Sequence, residues 1–293
     1  MFYTQLQTAY PDRFELYKKF NELYESKLEK VKPLVNDESS KKFLLACQKA
    51  IKEPVNAISA ASSQHLNNKF DKIYDFINGH PFKVAEEQGD VLIGSVSQAA
   101  FGVASIIVSL WKVLPEFGAL FLATLYKESP YLVPYYVTKQ QQQSTDDYLK
   151  TLGYKFKKGM LENQEQFLKR QTGYARLFSA IMITSGRKID EQPHPFGKEH
   201  CWSWLTNFIN MEPYPNVSTT ILYEVLKTVS ANLYETYGKQ FLKLIIFIRH
   251  TYIPKVKEIN SDGLTVRLEV LLDEYLKTKS FKMPLGFLSK DFW

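Results

Sequence analysis

The sequence predicts an all-α fold, a stack of antiparallel helical pairs. Two observations carry this. Apolar residues recur at helical spacing in about ten to twelve runs separated by short turns. No stretch alternates apolar and polar residues as a half-buried strand would. No repeat of fixed period is visible, so any repeats are degenerate. The 293 residues are enough for one large core, and the chain reads as a single helical-repeat domain over 1–293.

The stretch Pro115–Tyr136 (PEFGALFLATLYKESPYLVPYY) organises the rest. Leu114, Phe117, Phe121 and Leu125 recur at helical spacing, and Leu120, Leu122 and Ala123 make the other sides apolar. Pro115 suits a first turn. Ser129-Pro130 ends the helix, because the residue before a proline is pushed out of the helical region. Lys127 then stands at a helix C-terminus, where a cation is favoured.

The other elements follow in order. Asp12 can cap a helix through about Lys32, with Phe20, Leu23, Leu28 and Val31 in its stripe. Asn36 or Asp37 opens a run through about Ser62 that Pro54 should kink. Asn68–Asn78 is a third helix, stopped by Gly79-His80-Pro81. Val91–Val113 is small and apolar, as in a tightly packed inner helix. Residues 138–158, with Gln140–Gln143, read as a loop or insert. Helices then cover Glu162–Ile183, Lys198–Met211, Ser218 or Thr219 to Tyr237, Lys239–Ile259 and Gly263–Lys279.

Composition narrows the function. Two cysteines cannot form a disulfide framework, which favours a reducing compartment. The first residues carry polar groups throughout, unlike a secretory signal, and no 18 consecutive residues are apolar, so no membrane span is expected. Walker A, GxGxxG, GxSxG, HExxH and CxxC patterns are absent, so the chain reads as a non-enzyme with no metal site. His194 and His200 bracket a Pro-Phe-Gly turn and read as capping and packing groups. DNA-binding motifs are absent too. The net charge is +6, and Lys150–Lys188 alone holds nine basic residues against Glu162 and Glu165. This face suits a polyanion or an acidic partner, or is a solvated basic surface. A compact polyphosphate is one fitting ligand, since lysines from separate helices can converge on it.

Four segments go further. Leu120–Tyr136 resembles the helix-plus-proline signature of the Gle-type mRNA export mediators of the nuclear pore. His194–Pro213 (HPFGKEHCWSWLTNFINMEP), Thr236–Ile248 (TYGKQFLKLIIFI) and Gly263–Leu276 (GLTVRLEVLLDEYL) are similar to three later motifs of that family, in the same order and spacing. The resemblance is to the family's C-terminal domain and covers nearly the whole chain. It implies a HEAT-like, MIF4G-like fold. It implies a domain at the cytoplasmic face of the pore that binds and activates the DEAD-box ATPase of mRNA export without hydrolysing ATP itself. It also implies inositol hexakisphosphate as a bridge and a second surface for a segment of an FG nucleoporin.

Carried over residue by residue, the resemblance places the inositol-phosphate ligands at Lys18 or Lys19, His65, Lys69, Lys127, Lys239 and Lys243. Glu128 stands where the family has a second lysine, and Thr124 where it has an arginine. For the nucleoporin segment the candidates are Trp202, Trp204, Phe208 and Tyr214. A different class of function stays open: a MIF4G-type RNA-binding or translation-factor scaffold acting through 150–188. A purely structural nucleoporin adaptor is a third.

Overall fold

In a computed structural model, residues 11–79, 96–135, 137–188, 192–259, 262–289 and 291–293 are described. Their α-helices are α1 (Pro11–Asn36), α2 (Lys41–Asn56), α3 (Ser63–Ile77), α4 (Val96–Val113), α5 (Pro115–Glu128) and α6 (Thr145–Thr151). They continue with α7 (Gln164–Ile183), α8 (Lys198–Ile209), α9 (Val217–Tyr237), α10 (Lys239–Phe247), α11 (Ile253–Ile259) and α12 (Gly263–Thr278). A hairpin of two-residue strands, β1 (Phe156–Lys157) and β2 (Met160–Leu161), interrupts them. The Asp12 cap, the Val91 start and the His80-Pro81 stop fall outside the described residues or side chains.

Where the sequence suggests one domain, the contacts gather the chain into two compact units. One comprises the residues up to Asn21, Leu122–Ile183 and Phe196–Pro284; the other comprises Glu22–Phe121, Thr184–Pro195 and Leu285–Trp293.

The first unit is built on α7 against α9. Phe167, Ala175, Phe178, Ile181 and Met182 of α7 meet a helix that is buried nearly all round. That helix is α9, with Ile221, Leu222, Val225, Leu226, Val229 and Leu233 fully enclosed. Its buried Thr220, Thr228 and Ser230 send their hydroxyls back to the carbonyls four residues earlier, at 2.7, 2.8 and 2.5 Å. These polar residues disguise its depth in the sequence. Helix α5 is less central than its composition suggests: Leu122, Ala123, Leu125 and Tyr126 are buried, while Thr124 and Lys127 face outward.

In the second unit α3 packs between α2 and α4. Gly118 faces the Trp111 indole so closely that a Cβ would stand 2.0 Å from a ring carbon, which no other residue tolerates. The C-terminal tail returns here: Phe287 meets Phe101 edge-on at 5.7 Å, and the Trp293 indole donates to Ser105 Oγ at 2.9 Å.

Three boundaries differ from expectation for local reasons. The run after Asp37 ends at Asn56 rather than near Ser62, two residues past Pro54, whose ring blocks the ladder. Helix α3 starts at Ser63 rather than Asn68, because the Ser62 hydroxyl accepts from the His65 N–H at 3.1 Å. The run 239–259 is not one α-helix: Ile248–Tyr252 widens into a π turn. Pro254 has no N–H for the carbonyl of His250, and the preceding turn absorbs the mismatch.

Candidate functional site: a basic cleft at the end of helix α5

Helix α5 stops where Ser129 leaves the helical region, at φ −140 and ψ 80, and Pro130–Leu132 forms one 3-10 turn. Buried Ser129 donates its hydroxyl to Gln171 Oε1 at 2.5 Å, which ties this end to α7. A cleft of about 190 Å³ opens beside it within the first unit. Phe20, Tyr126 and Pro130 supply apolar walls, and Asn21, Lys127, Lys150 and Thr151 supply polar ones. Phe20 meets Tyr126 edge-on at 5.0 Å. Lys127 Nζ donates to Asn21 Oδ1 at 3.4 Å. Burial raises the Tyr126 hydroxyl's pKa, so it stays protonated.

Lys150 comes from α6, inside the segment 138–158 that reads as a loop. The helix forms because Ser144 caps it: its hydroxyl accepts from the Asp147 N–H at 3.0 Å and donates to the Asp147 carboxylate at 2.7 Å. Asp147 Oδ1 in turn holds Lys150 Nζ at 2.9 Å. The spacing Ser144–Asp147 is a capping signature that was there to be read. Lys150 itself carries no sequence signal for the cleft.

Beside the cleft lies an ionic network. Glu128 Oε2 accepts from Tyr174 Oη at 2.8 Å and pairs with Lys155 Nζ at 3.0 Å. Arg170 pairs with Glu162 and donates from Nη2 to the Gly153 carbonyl at 2.9 Å. The Lys155 N–H donates to Glu162 Oε1 at 2.8 Å. Burial alone would raise the Glu128 and Glu162 carboxyls. The hydrogen bonds from Lys155 and Tyr174, and from Arg170 and the Lys155 N–H, outweigh it and hold both below the usual glutamate range.

The residues expected to hold an inositol phosphate do not all meet at this cleft. Lys127 lines it. Lys18 and Lys19 lie exposed on α1, two and one residues before Phe20. Lys239 and Lys243 are exposed on α10, which packs on α9 and α12, and they do not line the cleft. His65 and Lys69 belong to the second unit, where His65 Nε2 lies 2.8 Å from the carbonyl of Ala57.

The aromatic candidates divide in the same way. Trp204 and Phe208 are buried, stacked at 4.7 Å, and are core residues rather than a partner surface. Tyr214 Oη accepts the Val137 N–H at 3.1 Å, and its ring meets Tyr131 edge-on at 5.0 Å, so it pins the loop after α5. Trp202 is half-exposed, like Tyr214, and its ring lies 4.6 Å from that of Tyr237, which is half-exposed too.

The basic segment 150–188 is partly neutralised from within. Lys150, Lys155, Arg170, Arg176 and Arg187 pair with Asp147, Glu128, Glu162, Glu224 and Asp71. Lys157, Lys158, Lys169 and Lys188 stand exposed. His194 Nε2 lies 2.8 Å from the Thr184 carbonyl, a packing contact. Among the described residues, no cluster of three His, Cys, Asp or Glu side chains could hold a metal, and no helix is long and apolar enough to cross a membrane.

The fold and the cleft define a class: a helical platform with a small basic cleft at the end of a core-lining helix. The chain belongs to the GLE1-like protein family, whose model matches residues 19–249. It is 40% identical to the mRNA export factor Gle1 of Drosophila melanogaster, over 98% of this chain and 46% of that protein. It is 33% identical to the mRNA export factor GLE1 of Mus musculus, over 88% of this chain and 41% of that one. The chain thus spans less than half the length of these relatives. Its fold matches a chain in the solved structure of an S. cerevisiae Dbp5 C-terminal domain variant bound to Gle1 and IP6. The TM-score is 0.75 at 19% identity, covering 94% of this chain and 99% of the other.

Proposed function

We propose that this chain is the part of an mRNA export factor that binds and stimulates a DEAD-box ATPase at the cytoplasmic face of the nuclear pore, with inositol hexakisphosphate bridging the two proteins. Family membership supports the export role. The solved relative supports the partner and the small molecule, because it contains a Dbp5 domain, Gle1 and IP6 together. The observation in this chain that carries the reading is the convergence of Lys127 from α5 and Lys150 from α6 on one cleft. Lysines from separate elements suit a compact polyanion.

A cleft of about 190 Å³ is below the ~300–1,000 Å³ of an enclosing small-molecule site. It takes one edge of a polyphosphate and leaves the rest for a second basic surface. The ligand then fills a gap between two surfaces that otherwise repel. The chain acts on the ATPase by population shift. It grips the two lobes best when they stand open, and so speeds release of RNA or product. The chain performs no chemistry itself. A further surface at half-exposed Trp202, beside Tyr237, takes a segment of an FG nucleoporin.

The test is steady-state ATPase assay of the matching DEAD-box protein with RNA, at low and high salt. Stimulation by this chain that grows with inositol hexakisphosphate and fades as ionic strength rises is the expected result. No stimulation at low salt overturns the reading.

A second reading rests on exposed Lys157, Lys158 and Lys169. It makes the chain a direct RNA binder. RNA binding by the isolated chain that is lost on charge reversal of Lys155, Lys157 and Lys158 would favour it.

A further inference from the structure

Glu128 is a puzzle for any polyanion site. It follows Lys127 directly, and a carboxylate next to a bound phosphate is repulsive. Consecutive helical residues point about 100° apart, however. The partners of Glu128, Tyr174 and Lys155, are not among the residues that line the cleft. The carboxylate is turned away from the cleft and toward the hairpin.

We propose that Glu128 is a positioning residue for the cleft: through Lys155 it fixes the β1–β2 hairpin, whose Phe156 holds Lys150 at the cleft wall. The inference rests on the reading of the cleft as a polyphosphate site. The chain of contacts is continuous. Glu128 holds Lys155 at 3.0 Å, and the next residue, Phe156, presents its ring to Lys150 Nζ at 5.6 Å to the centroid. Asp147 Oδ1 holds the same Nζ at 2.9 Å. The hairpin's far strand is clamped in parallel, since Glu162 accepts from the Lys155 N–H and pairs with Arg170. Gly153 closes the link: φ is +83, and a Cβ there would stand 2.8 Å from the Glu128 carbonyl oxygen. The backbone between α6 and the hairpin therefore lies directly against the end of α5. One acidic side chain orders an arm that delivers a cation.

This inverts the simple charge argument and so can be tested by sign. Glu128→Lys adds two units of positive charge beside the cleft and at the same time repels Lys155. Inositol hexakisphosphate is titrated calorimetrically at low salt into the 293-residue chain, wild type and variants. The expected result is a Glu128→Lys variant that binds about five-fold more weakly than wild type. The charge-swapped Glu128→Lys/Lys155→Glu double variant should return to within about two-fold of wild type, a rescue that loss of packing would not produce. Hydrogen exchange should rise in 145–162 for Glu128→Lys and Glu128→Gln and stay unchanged in α7 and α9. Tighter or equal binding by Glu128→Lys, or unchanged exchange in 145–162, overturns the proposal while leaving the polyphosphate reading intact. Absence of binding by the wild type overturns that reading, and this one with it.

Discussion

Trp204 donates its indole N–H to the carbonyl of Leu132 at 2.6 Å, joining the middle of α8 to the turn that ends α5. Both residues are buried, and the Trp204 ring also meets Phe178 at 5.6 Å and Phe208 at 4.7 Å. The bond therefore fixes the direction in which the chain leaves Lys127. Trp204→Phe keeps most of the apolar area but leaves a buried carbonyl without its donor, at a cost of about 1–3 kcal/mol. Urea unfolding should show a lower midpoint at unchanged slope.

Gly153 should resist substitution. At φ +83 an alanine is strained, and its Cβ would press on the Glu128 carbonyl oxygen at 2.8 Å. Gly153→Ala should lose about 1–3 kcal/mol by thermal unfolding and raise exchange in the hairpin. A neutral result would mean that the turn is looser than its contacts imply.

Arg176 and Glu224 form an ion pair between α7 and α9, with the Glu224 side chain only 4% exposed. Arg176→Ala strands that carboxylate and should cost about 3–5 kcal/mol. Arg176→Leu/Glu224→Leu should recover most of this, because two apolar groups need no mutual neutralisation. Denaturant titration of both variants checks the contrast.

Glu128 and Glu162 both titrate below the ordinary glutamate value of 4.5. A carboxyl depressed in the folded state adds stability above its unfolded value, and that stability is lost as pH falls through the folded one. Protection of 145–162 should therefore be flat at neutral pH and fall as pH drops below about 4.5. Glu128→Gln/Glu162→Gln should flatten this dependence, as read by exchange across pH 3–7.

The fold class was legible because helical periodicity and proline stops are local signals: Pro115, Ser129-Pro130 and the Gly263 start of α12 all stand where the spacing puts them. The most deeply buried helix was not. Helix α9 hides its depth behind polar residues, among them Thr220, Thr228 and Ser230, whose hydroxyls bond back to its own carbonyls, and Glu224, which pairs with Arg176 of α7; α5 looks more buried than it is. The site was half legible. Lys127 follows from the helix stop, but Lys150 and Asn21 come from segments 23 residues after it and 106 before it, and only tertiary packing sets them on one cleft. The tryptophan pair shows the same limit: Trp202 and Trp204 are two apart on one helix, and only the fold decides which is core.

The central claim is that this chain presents one half of a polyphosphate bridge. Its most direct test is calorimetric titration of inositol hexakisphosphate into the chain, alone and with the export ATPase, for wild type, Lys127→Ala/Lys150→Ala and Lys239→Ala/Lys243→Ala. The account predicts binding that tightens when the ATPase is present and weakens about ten-fold, 1.4 kcal/mol, in the Lys127/Lys150 variant. No binding with the ATPase present, or full binding after loss of both cleft lysines, would contradict it.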